Sequence, residues 1–478
     1  MSSGSSTLSS RRQVALDFLL GRINYERTPV VPYGRRQLKL DRMRQLLTRL
    51  GNPDAGLPIV HVAGTKGKGS TSALIGSVLH SAGYQVGLFS SPHLEKIEER
   101  FAVNGAACSA DELVGLVDQL RPVVQAMDAE ASTSSDRSLS PTYFELTTAI
   151  ALLHFAQKRV DVAILEVGLG GRLDSTNVCQ PAVTVITSIS LDHTKQLGDT
   201  LAKIAAEKAG IIKPGVPVLC GPLEEEPRQA IVEIAKQHGC RMLESGHDFS
   251  HQYCPPCHLD RQPQLAVLDF AGKFVDQTVE FAGLPLQLLG EHQAANAALA
   301  VATCVELERQ GWSISAEAIR EGLARLTLPA RIEILSRQPI VILDVAHNVA
   351  SAQALVSVLE TSFDAIRKIL IVAATKDKDV PGIVRALLPH FTHVIATEYQ
   401  ENPRAVPAER LGQIVHEELA RLDGNAPVAR TCLQPLPGDA WQLAQNLANE
   451  RTATESLICI TGSFFIAAEL RPILLANA

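Results

Sequence analysis

From Leu57 onward, short apolar runs alternate with longer stretches of helical spacing, and this alternation predicts strands and helices in turn. Leu57–Ala63 (LPIVHVA) is rich in β-branched residues and reads as a buried strand. It breaks into Gly64-Thr-Lys-Gly-Lys-Gly-Ser70, and helical spacing resumes over Thr71–His80. Tyr84–Phe89, Val160–Val167, Ala182–Ile189 and Val216–Cys220 predict further strands. Helices are expected over Gln13–Ile23, Leu38–Leu50, Asp111–Ala129, Pro141–Gln157 and Ala202–Ile212. Strand, helix and strand joined this closely imply a parallel sheet with right-handed crossovers, so this part of the chain predicts a doubly wound α/β domain.

The rhythm loosens from about Arg241 to Phe281 into short segments that read as strands of an excursion. Two helices follow, Glu291–Gln310 and Ala316–Arg325, and a second α/β rhythm begins after them. Its strands are Ile340–Leu343, Ile369–Ala373, His393–Ala396 and Leu457–Ile460. The boundary falls around Pro329-Ala330-Arg331. The expected division is a disordered tail over 1–12, a first domain over 13–330 and a smaller one over 331–478, flanking a cleft. Met1–Ser10 holds six serines and no apolar block, which makes it a tail and not a signal peptide.

Composition narrows the class without changing this picture. Of 478 residues, 46% are hydrophobic and 20% charged, as in globular proteins, and no run reaches the roughly 18 apolar residues of a membrane span. Lys plus Arg (44) against Asp plus Glu (51) gives a net charge of −7, which argues against nucleic acid as a partner. Nine scattered cysteines and no secretory signal point to a reduced, cytoplasmic protein. Cys254-Pro-Pro-Cys257 is the one close pair, and His258 alone does not complete a zinc site with it.

The candidate chemistry gathers at the ends of the predicted strands. Strand, glycine loop, Lys and Ser, then helix is the layout of a phosphate-binding loop, in which backbone N–H groups, the helix N-terminus and Lys68 meet phosphate oxygens. The usual ending is Gly-Lys-Ser/Thr, and here Gly69 separates Lys68 from Ser70. Ser70, Ser91 and Glu166 are hard oxygen donors at or just beyond strand ends, as magnesium needs, although Glu166 also reads as a salt-bridged core acid. His193, in Leu191-Asp192-His193, is either a capping residue or a ligand for a second cation or a reacting oxygen. Lys208, beside Glu207 in mid-helix, reads from the residues alone as half of an exposed charge pair. In the second domain Asp344 and His347 end an apolar strand, where they could meet ribose, phosphate or base. Thr375-Lys-Asp-Lys-Asp379 reads either as a ligand loop or as a solvated one.

Taken together, an ordered set of motifs resembles the folylpolyglutamate synthase and dihydrofolate synthase branch of the Mur ligases, from about Ala15 to Leu470. The set runs through Gly64–Ser70, Ser91-Pro92-His93-Leu94 with Glu99-Arg100, Glu166–Asn177, Leu191-Asp192-His193 and Glu207–Lys213. It continues through Gly290–Asn296, Pro329-Ala330-Arg331, Asp344–Asn348 and Thr461-Gly462-Ser463. The family's loop has the same extra glycine. The resemblance implies an N-terminal P-loop domain of the Mur-ligase type that binds ATP, plus a smaller C-terminal Rossmann-like α/β domain. It implies an ATP-dependent ligase that phosphorylates a folate or dihydropteroate carboxylate and joins the acyl phosphate to the amine of L-glutamate.

Carried over by position, the resemblance places Gly64, Thr65, Lys66, Gly67, Lys68, Gly69 and Ser70 on the phosphates. Lys66 stands where many bacterial relatives have Asn. Asn296, Arg331, Asp344 and His347 would also bind ATP. Ser70, Ser91 and Glu166 would hold one Mg2+, and Glu166 and His193 a second. Lys208 would be carbamylated and join Lys68 and His193 in catalysis, with Glu99 and Arg100 near the folate. A monomer is expected. Two other readings remain at this point: a related amide ligase acting on a cell-wall precursor, and a nucleotide-dependent switch without ligase activity.

Overall fold

The computed structural model describes residues 2–26, 40–133, 140–275, 277–422, 429–450 and 456–476, with side chains from residue 8 onward. The chain divides into two compact units. The first comprises residues 1–252, 269–284 and 295–325, and the second comprises 253–268, 285–294 and 326–478. The expected division at 330 therefore differs in two respects. The second unit begins at 326, and it also takes two short segments from the excursion and its sequel.

The first unit is built on eight strands: β1 (Ile59–Ala63), β2 (Val86–Phe89), β3 (Phe101–Val103), β4 (Ala106–Ala107), β5 (Val162–Glu166), β6 (Val183–Ile186), β7 (Val218–Cys220) and β8 (Met242–Glu244). Their order is β4-β3-β2-β5-β1-β6-β7-β8. From β2 through β8 every pairing is parallel. The edge pairings β2–β3 and β3–β4 are antiparallel instead. Asn104 and Gly105, both at positive φ, form a two-residue turn of the kind that closes a hairpin between β3 and β4. β1 is central, and its register sets Val62 against Glu166 and Ala63 against Ile186. The chain that leaves β1 thus emerges between the ends of β5 and β6, where ligands of parallel sheets gather.

The helices of this unit up to residue 252 are α1 (Ser2–Leu20), α2 (Leu40–Arg49), α3 (Lys68–Ser81), α4 (Ala110–Thr133), α5 (Tyr143–Lys158), α6 (Thr194–Leu197), α7 (Leu201–Ala209) and α8 (Glu225–Gln237). The expected tail over 1–12 is a correction, because α1 begins at Ser2. Ala15 and Leu19 are buried, and Arg11 and Arg12 pair with Asp118 and Glu98. A helix anchored in this way propagates toward its N-terminus at low cost once its first turn exists. The start of the helix expected over Leu38–Leu50 lies outside the described residues. α5 opens on a capping box, Thr142 with Glu145, and Glu145 also takes the buried guanidinium of Arg42. Gly322 closes on Val78 of α3, with Ser77 Oγ donating to its carbonyl at 2.7 Å.

A three-stranded sheet follows, with β9 (Phe249–Cys254), β10 (Ala266–Phe274) and β11 (Gln277–Leu286) in the order β11-β10-β9. α9 (Glu291–Arg309) and α10 (Ala316–Arg325) come next. The second unit's own sheet has six strands, β12 (Glu333–Arg337), β13 (Ile340–Leu343), β14 (Arg367–Val372), β15 (His393–Ala396), β16 (Arg430–Leu433) and β17 (Ser456–Thr461), in the order β12-β13-β17-β14-β15-β16. Only the β12–β13 pairing is antiparallel. The buried runs of β13, β14, β15 and β17 were legible as apolar strands, whereas the edge strands β12 and β16 are partly exposed and were not. No described helix is long and apolar enough to cross a membrane.

One buried network in the first unit titrates. His61 sits in the middle of β1 with no exposure, its Nε2 is 2.8 Å from Thr176 Oγ1, and Thr176 Oγ1 donates to Asp174 Oδ1 at 2.6 Å. Burial, with a smaller push from the charge of Lys213, drives the imidazole down to about 3 from its ordinary 6.5. The unfolded chain therefore takes up a proton that the folded chain refuses. The contribution is fully present above pH 6.5 and is lost at about 1.4 kcal/mol per pH unit as pH falls toward 3. His61→Gln is expected to flatten the loss of stability between pH 6.5 and 4.5 relative to the parent, read as urea midpoints. Parallel slopes would show that His61 takes no part in acid sensitivity.

Candidate functional site

Because β1 is central and parallel to both neighbours, the loop after it is held from two sides. On the β6 side the hold is a set of hydrogen bonds. Thr65 N donates to Ser188 O at 2.7 Å, Lys66 N to Ser188 Oγ at 3.1 Å, and Thr187 Oγ1 to Lys66 O at 2.6 Å. Thr65 Oγ1 accepts from Ser190 N at 3.1 Å. Gly64 (φ 153°) fits only as glycine, since a Cβ there would collide with Thr187 Oγ1. Gly67 (φ 82°) is the N-cap of α3, and a Cβ there would collide with Asn296 Oδ1. Asn296 is thereby placed beside the loop. Gly67 has no side chain with which to cap α3, so the first N–H groups of the helix keep their capacity for an anion.

On the β5 side the neighbour is an acid. Glu166 is 4% exposed and accepts from Ser91 N through Oε2 at 3.1 Å. A Cβ on Gly69 would lie 3.5 Å from that same oxygen. The extra glycine of the loop is thus the point where the carboxylate approaches the first turn of α3. Ser70, buried at 6% exposure, is the next residue along from Gly69, and Ser91 reaches the same carboxylate through its N–H. Thr71 Oγ1 and Ser190 Oγ are buried hydroxyls without a hydrogen-bond partner among the described residues. A carboxylate facing a helix N-terminus that suits phosphate sets two anions against each other. A divalent cation between them resolves that conflict, so the hard oxygen set fits magnesium.

Lys208 corrects the reading from residues alone. It is not half of an exposed charge pair: it is 5% exposed, and its Nζ donates to Gly64 O at 2.8 Å. Glu207 pairs instead with Arg172, at 2.8 Å. Neighbours on a helix point about 100° apart, so one can be sealed while the other pairs at the surface. Burial first, and the charge of Lys68 second, pull the Lys208 ammonium down to about 7, with Asp192 and Asp174 opposing. Lys68 Nζ lies 3.5 Å from Thr65 O. A pocket lined by Gly64, Thr65, Lys68, Gly168, Asp192, His193 and Lys208, among others, joins these groups. His193 enters it from a left-handed backbone (φ 51°) at the N-cap of α6. Both readings of His193 thus keep a structural footing.

Glu99 and Arg100 are not brought to this pocket as free charges. Glu99 accepts from the backbone N–H groups of Leu94, Glu95 and Lys96 at 2.7, 2.9 and 2.7 Å. Arg100 is 1% exposed, donates to both oxygens of Glu26 and to His93 Nδ1, and lies over the Tyr143 ring. Both residues hold the loop that follows Ser91. In the second unit, Asp344 is buried and accepts from Ile332 N at 3.0 Å and Ala346 N at 2.7 Å. Burial raises its pKa, opposed by the charge of Arg331. Arg331 stands exposed between Ala330 and Ile332, both at positive φ. His347 Nδ1 is 2.9 Å from Val345 O.

Sequence reasoning missed Thr187, Ser188 and Ser190, which pin the loop, and Asp174, which accepts from Gly168 N and Leu169 N at 3.1 Å. A polar cluster directly after an apolar strand was the available signal. These features define the class as a phosphate-handling α/β protein of the P-loop kind, with a buried acid and a buried lysine at the loop. Family models described as the Mur ligase middle domain and the Mur ligase glutamate ligase domain match residues 62–304 and 330–464. The chain is 35% identical over 437 residues to the dihydrofolate synthase/folylpolyglutamate synthase of Bacillus subtilis, covering 90% of this chain and 94% of the relative.

Among solved structures it is similar to Mycobacterium tuberculosis folylpolyglutamate synthase complexed with ADP. That match has a TM-score of 0.83 and 30% identity, and it covers 98% of this chain and 99% of the other. It is also similar to Escherichia coli FolC in complex with DHPP and ADP, with a TM-score of 0.75, 30% identity, and 98% of each chain covered. The chain belongs to the dihydrofolate synthase/folylpolyglutamate synthase family of Mur ligases. Lys68→Ala is expected to leave the melting temperature within about 2 °C of the parent, because the side chain makes one long contact. Turnover should fall by about 10²–10³-fold or more. Parent-like turnover in that variant would remove Lys68 from the phosphate site.

Proposed function

We propose that this chain is an ATP-dependent ligase that joins L-glutamate to the carboxylate of dihydropteroate or a folate through an acyl phosphate. The observation that supports it most directly is the approach of the Glu166 carboxylate to Gly69, together with Lys208 on the Gly64 carbonyl. A carboxylate is a poor acyl donor until a phosphoryl group gives it a leaving group. The γ-phosphate and the substrate carboxylate are both anions, so transfer between them needs fixed positive charge. Lys68 and the open N-terminus of α3 supply that charge, with the loop already held in place by Thr187 and Ser188. The glutamate amine then attacks the acyl carbon, phosphate departs and an amide remains.

Ser70, Ser91 and Glu166 are the residues that would hold one magnesium ion, with Glu166 and His193 at a second. When bound, the metal would offset the charge of the reacting anions. Lys208 is proposed to be carbamylated. Burial and Lys68 favour its neutral amine near pH 7, and that form is the nucleophile able to take up carbon dioxide. Its modified side chain would present anionic oxygens near His193. The nine cysteines, all free thiols, fit a reducing cytoplasm.

Two measurements test this reading. With ATP and L-glutamate, ADP release is expected to require dihydropteroate or tetrahydrofolate, offered side by side. Release with a UDP-muramyl acceptor, and with neither pteridine, would overturn the assignment. Lys208→Ala is expected to lose activity that short carboxylic acids partly restore, and parent-like activity without such additives would end the carbamate proposal.

A further inference from the structure

Away from the phosphate loop, the corner between β4 and α4 brings three metal-ligating side chains together. Cys108 follows β4, Glu112 lies in the first turn of α4, and His154 lies in α5, one turn before Lys158. One ligand atom from each, a sulfur, a carboxylate oxygen and an imidazole nitrogen, lies within 4.8 Å of both others. No other group of three such residues meets that condition among the described residues. Cys108 and His154 are buried, at 4% and 2% exposure. The Glu112 carboxylate is fixed by the start of its own helix: Oε2 accepts from Ser109 N at 2.7 Å, and Ser109 Oγ accepts from Glu112 N at 3.2 Å. A carboxylate oriented by such backbone bonds is a preorganised ligand.

The charge states of His154 and Glu112 suit a cation, whereas Cys108 must give up a proton to bind one. Burial lowers the pKa of His154, so its imidazole is the neutral, ligating form. The ammonium of Lys158 and the Ser109 bonds drive Glu112 down to about 2, so it is ionised. Burial first, then the charges of Glu112 and Glu98, push the Cys108 thiol up to about 12. Lys158, ion-paired with Glu112, supplies the positive charge. The Glu112 and Lys158 side chains are 34% and 44% exposed, so they form the outer edge of the cluster and leave a path to solvent.

We propose that Cys108, Glu112 and His154 form a binding site for a divalent transition-metal cation of the zinc class. Sulfur and imidazole nitrogen select such ions over magnesium or calcium, which sets this site apart chemically from the oxygen donors at the phosphate loop. Tetrahedral zinc holds its ligand atoms roughly 3.3–3.8 Å apart, so three atoms already within 4.8 Å close on it by small rotamer shifts. Binding forms the metal–sulfur bond, and the thiol proton leaves to solvent. The ammonium of Lys158 gives up the Glu112 carboxylate and swings outward. Water completes the coordination. Lys158 is therefore the built-in competitor of the metal, a monovalent cation in the place of a divalent one. The bound ion would tie the N-terminus of α4 to α5.

The test uses the full chain and cobalt(II) as the probe, read by its thiolate-to-cobalt absorption and by displacement with zinc. One equivalent is expected to bind with the charge-transfer band. The band should be absent in Cys108→Ala, and affinity should fall about tenfold or more in His154→Gln. Lys158→Met, which leaves all three ligands in place, should bind more tightly than the parent. A Cys254→Ala/Cys257→Ala double variant should keep the band. Absence of the band in the parent, its survival in Cys108→Ala, its loss in the double variant, or unchanged affinity in Lys158→Met would each overturn the proposal. The Lys158→Met comparison decides the matter even if Cys108→Ala fails to fold.

Discussion

Lys208 donates to the carbonyl of Gly64 from a place almost sealed from water, with the charge of Lys68 acting on it. That contact constrains its surroundings, because a buried ammonium close to a second cation is costly unless something anionic arrives or its proton leaves. Asp192 and Asp174 offset only part of the cost, and the pKa of the group falls to about 7. The carbonyl that receives Lys208 is available because Gly64 takes a backbone path that no other residue could follow beside Thr187. Removing either partner would leave the other buried with its polar group unmet.

The opposite side of the loop carries the complementary problem. Glu166 is buried at the end of a central strand and faces the helix that suits phosphate. Its position is inherited from the sheet: the register of β5 against β1 puts it level with Val62, one residue short of the strand end. The turn after it is held by Asp174, which reaches Gly168 N and Leu169 N and joins His61 through Thr176. A chain of buried hydrogen bonds therefore runs from the middle of β1 to the loop beside the acid. Satisfied networks of this kind fix geometry more than they add stability, which is what a site that must meet phosphate requires.

Much of this was legible in the sequence, and the parts that were not share a cause. The strand, glycine loop and helix around Gly64–Ser70 are set by local signals, so residues alone located them. The same holds for the buried strands of both units, whose apolar runs are continuous because parallel sheets are covered on both faces. The edge strands β12 and β16 and the amphipathic α8 were missed; partial exposure had diluted the strand pattern. Lys208 failed for a different reason. Its neighbours in sequence are those of an exposed pair, and only the fold shows which side of α7 is sealed. Glu99 and Arg100 entered only through the resemblance, and nothing in their local sequence shows that both are engaged in holding a loop.

The protein settles buried charge in three ways, and the differences separate scaffold from site. Arg42 and Glu145 are both buried and close a mutual pair, with Thr142 donating to the same carboxylate. That arrangement is complete in itself and needs nothing from outside. His61 is kept neutral by burial, which also needs no partner ion. Glu166, Lys68 and Lys208 follow neither course: the acid accepts from Ser91 N beside the first turn of α3, while Lys68 acts on the buried Lys208 as a like charge. In the second unit Asp344 holds Ile332 at a positive φ that β-branched residues avoid, so strain is stored there beside the exposed Arg331. Like charges that the fold sets side by side are balanced by an anion that binds them. The like charges set together at the phosphate loop are therefore better evidence of function than any single motif.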